Sequence, residues 1–188
     1  MVAAVILAGG RATRMGGGDK ALLMLHGRPL LAQVIGRLAP QVAALAVNAN
    51  GDPSRFAGFG LPVLADPVAG FPGPLAGVLA GMDWAAGLGF AQVLSVAGDT
   101  PFLPADLVAR LGRVPFGVAA SLGRQHPVVA LWPVALRGAL REALGRGEHK
   151  VGRFAADHGA LAVDFLAPPD PFFNINTPGD LARAEGRA

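Results

Sequence analysis

Apolar residues in this chain fall into short runs, separated by stretches in which they recur at helical spacing. Val2 to Leu7 is apolar throughout, the pattern of a strand covered on both faces. Leu45–Asn48, Pro62–Ala65, Val93–Val96, Phe116–Ser121 and Val128–Leu131 read as further strands. Helices are expected over Pro29–Leu38, with a proline near its start, over Leu75–Trp84 and over Pro104–Leu111. The C-terminal third reads as helical as far as Phe173. Strands joined through helices predict right-handed crossovers and an α/β fold with a mostly parallel central sheet flanked by helices. Ligands of such sheets bind in a crevice beyond the carboxyl ends of the strands, so chemistry is sought there.

Composition narrows the picture. The 188 residues suit one folded unit over residues 1–188, and no repeat, long linker or low-complexity tract marks a boundary inside it. Apolar residues make up 52% against 15% charged, which excludes a disordered chain. No apolar run approaches the ~18 to 20 residues of a membrane span, so a soluble protein without membrane association is expected. The opening MVAAVILAGG lacks the basic flank of a signal peptide and runs straight into a glycine-rich loop. Without cysteine there is no disulfide framework, thiolate metal site or catalytic thiol, which fits a cytoplasmic protein. Residues 1–51 carry five basic side chains against the single acid Asp19, although the net charge of the chain is only +3. A positive excess around one loop suits a small anionic ligand. A nucleic-acid surface would show basic stripes on several elements with stacking aromatics, and none is present.

That loop, Gly9 to Lys20, holds five glycines and the bases Arg11, Arg14 and Lys20. Glycine lets consecutive N–H groups converge on phosphate oxygens while Arg14 and Lys20 neutralise them, which makes a phosphate cradle; a plain surface turn is the alternative. Ala21 after Lys20 excludes a Walker A loop, and no G-x-G-x-x-G opens a helix here. Asp99 directly follows an expected strand, where a carboxylate can hold a metal against a phosphate or simply cap a turn. Asp66, before Pro67, is a weaker analogue. Gly70 to Gly77 reads as a kinked entry to a helix whose amides can face an anion or a base edge, or as an ordinary loop. Phe173-Asn174-Ile175-Asn176 alternates, so on a strand both carboxamides would share a face; an edge strand leading to a Thr-Pro helix start is the plainer reading. The four histidines are scattered, which argues against zinc, and no serine sits in a nucleophile elbow.

Taken in order, Leu7-Ala8-Gly9-Gly10, Arg14-Met15-Gly16-Gly17, Asp19-Lys20, Val47-Asn48-Ala49-Asn50, Asp66, Gly73-Pro74-Leu75-Ala76-Gly77, Asp99-Thr100-Pro101, His126-Pro127 and Asn174-Ile175-Asn176-Thr177-Pro178 resemble the MobA family of molybdenum cofactor guanylyltransferases. The likeness spans almost the whole chain. It departs at Val96-Ala97-Gly98, where the family has a proline and a cysteine before the aspartate. The resemblance implies a Rossmann-like nucleotidyltransferase that moves GMP from GTP to molybdenum-molybdopterin and releases pyrophosphate, with Mg2+ as cofactor. It also implies that Leu7, Ala8, Gly9 and Gly10 line the nucleotide site and that Arg14 and Lys20 meet phosphates. Asn48 and Asp66 would contact the nucleoside, Gly73 and Gly77 would belong to the binding site, and Asp99 would hold the metal. Asn174 and Asn176 would serve the pterin side. Implied partners are the molybdenum insertion protein and apo-molybdoenzymes or their chaperones, and the expected state is a monomer. A cytidylyltransferase of the same fold acting on molybdopterin or another phosphorylated small molecule is the alternative, and a non-catalytic nucleotide-binding adaptor is a second.

Overall fold

The computed structural model describes residues 1–9, 18–68, 70, 73–166 and 168–187. In chain order its strands are β1 (Ala3–Leu7), β2 (Met24–Leu25), β3 (Arg28–Pro29), β4 (Ala44–Asn48), β5 (Val63–Leu64), β6 (Gln92–Ala97), β7 (Gly117–Ser121), β8 (Arg124–Pro133) and β9 (Leu161–Asp164). The helices are α1 (Leu30–Leu38), α2 (Pro74–Gly87), α3 (Leu107–Leu111), α4 (Arg137–Gly145), α5 (Val151–Asp157) and α6 (Pro178–Glu185). Among the described residues no helix is long and apolar enough to cross a membrane.

The all-apolar β1 explains the layering. Successive side chains point to opposite faces of a sheet. Ala4 and Ile6 therefore join one core with Leu31, Val34 and Leu107 from α1 and α3, while Ala3 and Val5 join another with Val78, Met82, Leu140 and Phe154 from α2, α4 and α5. Both faces are covered, as the sequence pattern requires. The seven-stranded sheet runs β5-β4-β1-β6-β8-β7-β9, with β5, β4, β1 and β6 mutually parallel and β9 parallel to β7. A small hairpin of β2 and β3 packs Leu25 with Leu30, Ile175 and Ala184 of α6.

The expected mostly parallel sheet is present with one antiparallel strand, while the expectations for the C-terminal third, for Pro104 and for Asn174 and Asn176 need correction. β8 runs antiparallel to both β6 and β7. Its cause is local: Leu122 and Gly123, with φ of 50° and 73°, join β7 to β8 in a tight turn too short for a crossover. The C-terminal third is not continuous helix, because β9 pairs with β7 between α5 and the closing segment. The helix expected from Pro104 starts only at Leu107, after a run of turns. Asn174 and Asn176 do not lie on a strand, since residues 173–176 have no ladder partner. Their backbone is held instead by single bonds, among them Ile175 N–H to the Asp99 carbonyl at 3.1 Å.

Close packing of α2 on the sheet depends on its glycines. A Cβ on Gly81 would stand 2.4 Å from Val5 Cγ1, so only glycine lets the helix approach β1 this closely. Gly81→Ala is therefore expected to destabilise the protein by about 1 to 3 kcal/mol through overpacking. At Gly87, where a Cβ meets nothing within 4 Å, the same change should be neutral or stabilising by up to about 1 kcal/mol. Urea unfolding of both variants checks the contrast, and equal effects would mean that α2 is not fitted to β1 through Gly81.

Candidate active site

The strand register sets four ends abreast: Leu64 beside Asn48, Asn48 beside Leu7, and Leu7 beside Ala97. Chain order reverses between β1 and β6, which is the position at which open α/β sheets bind ligands. A crevice of about 410 Å³ opens there, within the ordinary size of a small-molecule site. Its walls include Leu7, Ala8, Gly9, Lys20, Asn48, Asn50, Asp66, Gly73, Gly98, Asp99, Val128 and Asn174. Gly10, Arg11 and Arg14 lie outside the described residues.

At one end stands Asp99, in the turn after β6. Its Oδ2 accepts from the Lys20 ammonium, and its Oδ1 accepts from Asn174 Nδ2 at 3.3 Å. Lys20 also donates to Asn176 Oδ1, so four side chains from three distant parts of the chain converge. Gly98 makes the convergence possible. A Cβ there would come within 3.1 Å of Ala21 Cβ, pressing on the segment that carries Lys20. Gly98, within the Val96-Ala97-Gly98 stretch that departs from the resembled pattern, is thus tightly fitted against Ala21.

At the other end Asp66 is held by two carboxamides. Asn48 Nδ2 donates to Oδ1 at 2.9 Å and Asn50 Nδ2 to Oδ2 at 2.7 Å, while the Asp66 amide donates back to Asn50 Oδ1 at 2.9 Å. A carboxylate has about four lone-pair sites, so Asp66 keeps acceptor capacity toward the crevice. Asn48 ends β4 and is 5% exposed. Gly77 lies behind it: a Cβ on Gly77 would fall 2.2 Å from Asn48 Oδ1. Its place is in the packing of α2 behind the wall, whereas Gly73 at the helix entry faces the crevice.

Asn50 and Arg55 were given no role by sequence reasoning. For Asn50 the signal exists, since residues two apart at a strand end share a face. Arg55 gives no such signal. Its guanidinium ion-pairs with Asp19 and donates to the carbonyls of Asn50 at 2.6 Å and Asp52 at 2.8 Å, tying the Lys20 segment to the loop beyond β4.

Among the described residues no cluster of three or more His, Asp or Glu side chains can hold a metal ion. Among the described residues that line the crevice, Asp99 is the carboxylate at the β6 end. That fits Mg2+, which is commonly bound through one or two carboxylates together with substrate phosphates and retained waters.

Asn176 is steadied from the helix that follows it. Thr177 caps α6, and the Asp180 carboxylate accepts from the backbone N–H groups of Asn176 at 3.0 Å and Thr177 at 2.9 Å. With Arg183 and the Thr177 hydroxyl as further donors, the Asp180 pKa falls from 3.8 to about 2.

The profile of the MobA-like NTP transferase domain matches residues 4–161. A molybdenum cofactor guanylyltransferase of Rhodopseudomonas palustris (strain BisB5) is 59% identical over 192 residues, covering 97% of this chain and 91% of that protein. Another, from Acidiphilium cryptum (strain JF-5), is 57% identical over 183 residues, covering 97% of this chain and 93% of its own. The crystal structure of molybdopterin-guanine dinucleotide biosynthesis protein A from Archaeoglobus fulgidus superposes with a TM-score of 0.74 at 24% identity, covering 99% of this chain and 97% of that one. At that identity the likeness speaks for the fold.

Because its folded pKa is lowered, Asp180 contributes stability that is complete above about pH 4 and lost as pH falls through about 2. The amide resonances of Asn176 and Thr177 should accordingly stay constant from pH 7 to about 4 and titrate with a midpoint near 2. A midpoint near 4 in an NMR titration would show that the capping carboxylate does not hold this segment.

Proposed function

The chain belongs to the MobA-like NTP transferase domain family, and we propose that it is a molybdenum cofactor guanylyltransferase, transferring GMP from GTP to molybdenum-molybdopterin with release of pyrophosphate. The observation that carries this reading is the meeting of Lys20, Asp99, Asn174 and Asn176 at one end of a crevice whose other end is walled by Asn48 and Asp66. One end suits phosphates. The other suits a nucleoside, whose N–H and O–H donors meet the free lone pairs of Asp66.

In this reading an acceptor phosphate oxygen attacks the α-phosphorus of GTP in line, and the bond to pyrophosphate breaks. The chain positions two anions and stabilises charge; it forms no covalent intermediate. Lys20 offers its ammonium to the phosphates. Asn48 and Asp66 orient the nucleoside, Asp66 being fixed by Asn50 and Asn48 by the Leu64 carbonyl, and the Asn174 and Asn176 carboxamides face the acceptor. Mg2+, held by Asp99, would supply charge neutralisation for the departing pyrophosphate. The attacking phosphate is ionised at neutral pH, so no strong general base is required. No histidine or glutamate stands among the described residues that wall the crevice. GTP as donor accords with a cytoplasmic enzyme.

The base preference is tested by pyrophosphate release in the presence of molybdenum-molybdopterin: turnover with GTP should exceed that with CTP, and equal turnover would reject the guanylyl assignment. Two variants separate the metal ligand from the phosphate contact. Asp99→Asn should lower turnover by at least ~100-fold, the scale of losing a preorganised electrostatic contact. Without metal its GTP affinity should hold or rise slightly, because Lys20 is released from its ion pair and an anion is removed. Lys20→Ala should weaken GTP binding with or without Mg2+ by about 1 to 3 kcal/mol, the loss of a charge-assisted hydrogen bond. Calorimetric titrations check both. Normal turnover by Asp99→Asn, or parental GTP binding by Lys20→Ala, would remove the corresponding role.

A further inference from the structure

His126 and Pro127 belong to the motif set, yet the reaction as read above gives them no task. His126 joins a hydrogen-bonded chain outside the crevice. Ser121 Oγ, in a residue only 1% exposed, donates to Asp170 Oδ1 at 2.7 Å and lies 2.7 Å from His126 Nε2. A hydroxyl carries one proton. Since that proton points at Asp170, His126 must present N–H at Nε2, and the chain runs from imidazole to hydroxyl to carboxylate. Asp170 Oδ1 also accepts from the Phe172 amide at 2.9 Å. The order excludes a nucleophilic triad, in which serine gives its proton to histidine and the acid holds the far ring nitrogen. Burial lowers the His126 pKa, Asp170 pulls it upward and Arg124 adds to the lowering; a neutral ring with N–H at Nε2 completes the chain.

What the chain fastens is the segment that carries Asn174 and Asn176. Phe172, 1% exposed, sets its ring 4.9 Å from that of His126 and edge-on to Phe165 at 5.2 Å. Two residues later the segment reaches Asp99 through Asn174, and then Lys20 through Asn176. At its far end Asp180 holds the Asn176 and Thr177 amides. No ladder fixes this strap, so where its carboxamides stand depends on these fastenings together with the buried Ile175 between them.

We propose that Ser121, His126 and Asp170 are positioning residues for the acceptor side of the reaction, fastening the strap to the β7–β8 hairpin so that Asn174 and Asn176 meet the phosphorylated acceptor. The inference rests on the reading of those two carboxamides as acceptor-side groups. The nucleoside wall lies beyond β4 and β5 and has its own clamp in Asn50, and Lys20 keeps its ion pair with Asp99 when Asn176 moves away, so loosening the strap strikes the acceptor contacts and changes GTP binding little.

The test compares the acceptor KM, measured with GTP and molybdenum-molybdopterin, with the GTP Kd from calorimetry. Ser121→Ala and His126→Leu should raise the acceptor KM about tenfold, the scale of a lost hydrogen bond that leaves a buried partner unsatisfied, and leave the GTP Kd within about twofold. His126→Gln, which keeps an N–H donor of similar reach, should recover most of the loss, whereas a side chain that only fills space would give no such recovery. Asn174→Ala and Asn176→Ala run in parallel. If neither raises the acceptor KM, the acceptor assignment of the strap fails. If they raise it but Ser121→Ala and His126→Leu do not, the fastening fails. A GTP Kd that rises as much as the acceptor KM, or a His126→Gln enzyme as impaired as His126→Leu, also overturns the proposal. Should Ser121→Ala not fold, the two His126 variants decide alone.

Discussion

Leu7 ends β1 paired with Asn48 on one side and Ala97 on the other, and the crevice is built outward from that register. The pairing continues past the strand: Ala8 N–H bonds to the Asn48 carbonyl at 2.8 Å, and Gly98 N–H bonds to the Leu7 carbonyl at 3.0 Å. A slip of one residue would turn every side chain of β1 to the opposite face. Ile6 would then face α2 at the level where Val5 already leaves 2.4 Å for a Cβ on Gly81. Packing on both faces thus locks the register, and the register sets Asp99, Gly9, Asn48 and Asp66 along one edge. Elements that never enter the crevice decide its shape.

Few full charges are spent inside it. Asp99 meets the Lys20 ammonium, while Asp66 meets two neutral amides. An unpaired charge taken from water is costly, and each carboxylate here has donors aimed at it. The two ends differ as a result. Asp66 offers lone pairs to whatever brings N–H or O–H groups. The Lys20 end gathers an ammonium and two carboxamides, groups able to donate to phosphate oxygens.

The alternation of strand and helix in the sequence was enough to expect the parallel half of the sheet, because β1, β4 and β6 are apolar runs buried on both faces. It left open which strand would break the parallel order, and it missed β9. Leu122-Gly123 forces β8 antiparallel, and β9, whose residues are largely exposed at the sheet edge, carries too weak an apolar pattern to announce itself. Lys20 and Asp99 stood out as a rare lysine closing a glycine loop and an acid after a strand. Their contact is 79 residues long in sequence and appears only when the sheet closes. Arg55, Ser121 and Asp170 could not be read in advance. Their partners are fixed by loop paths, which no periodicity encodes.

Asn174 and Asn176 show why a correct residue choice can follow from an incorrect element. Alternation suggested a strand with both carboxamides on one face. The chain keeps the alternation without the ladder: Phe172 is buried and Phe173 half-buried, Asn174 exposed, Ile175 buried and Asn176 exposed. Ile175 is drawn into the small core of the β2–β3 hairpin and α6, and its N–H bonds to Asp99. Burial of one apolar residue between two amides therefore does locally what a strand would have done, turning both carboxamides toward Lys20 and Asp99. The site then has two kinds of support. Its Asn48 end is anchored in the sheet by backbone ladders, whereas its Asn174 and Asn176 end hangs on a buried isoleucine and side-chain hydrogen bonds, which leaves that end the more sensitive to single substitutions outside the crevice.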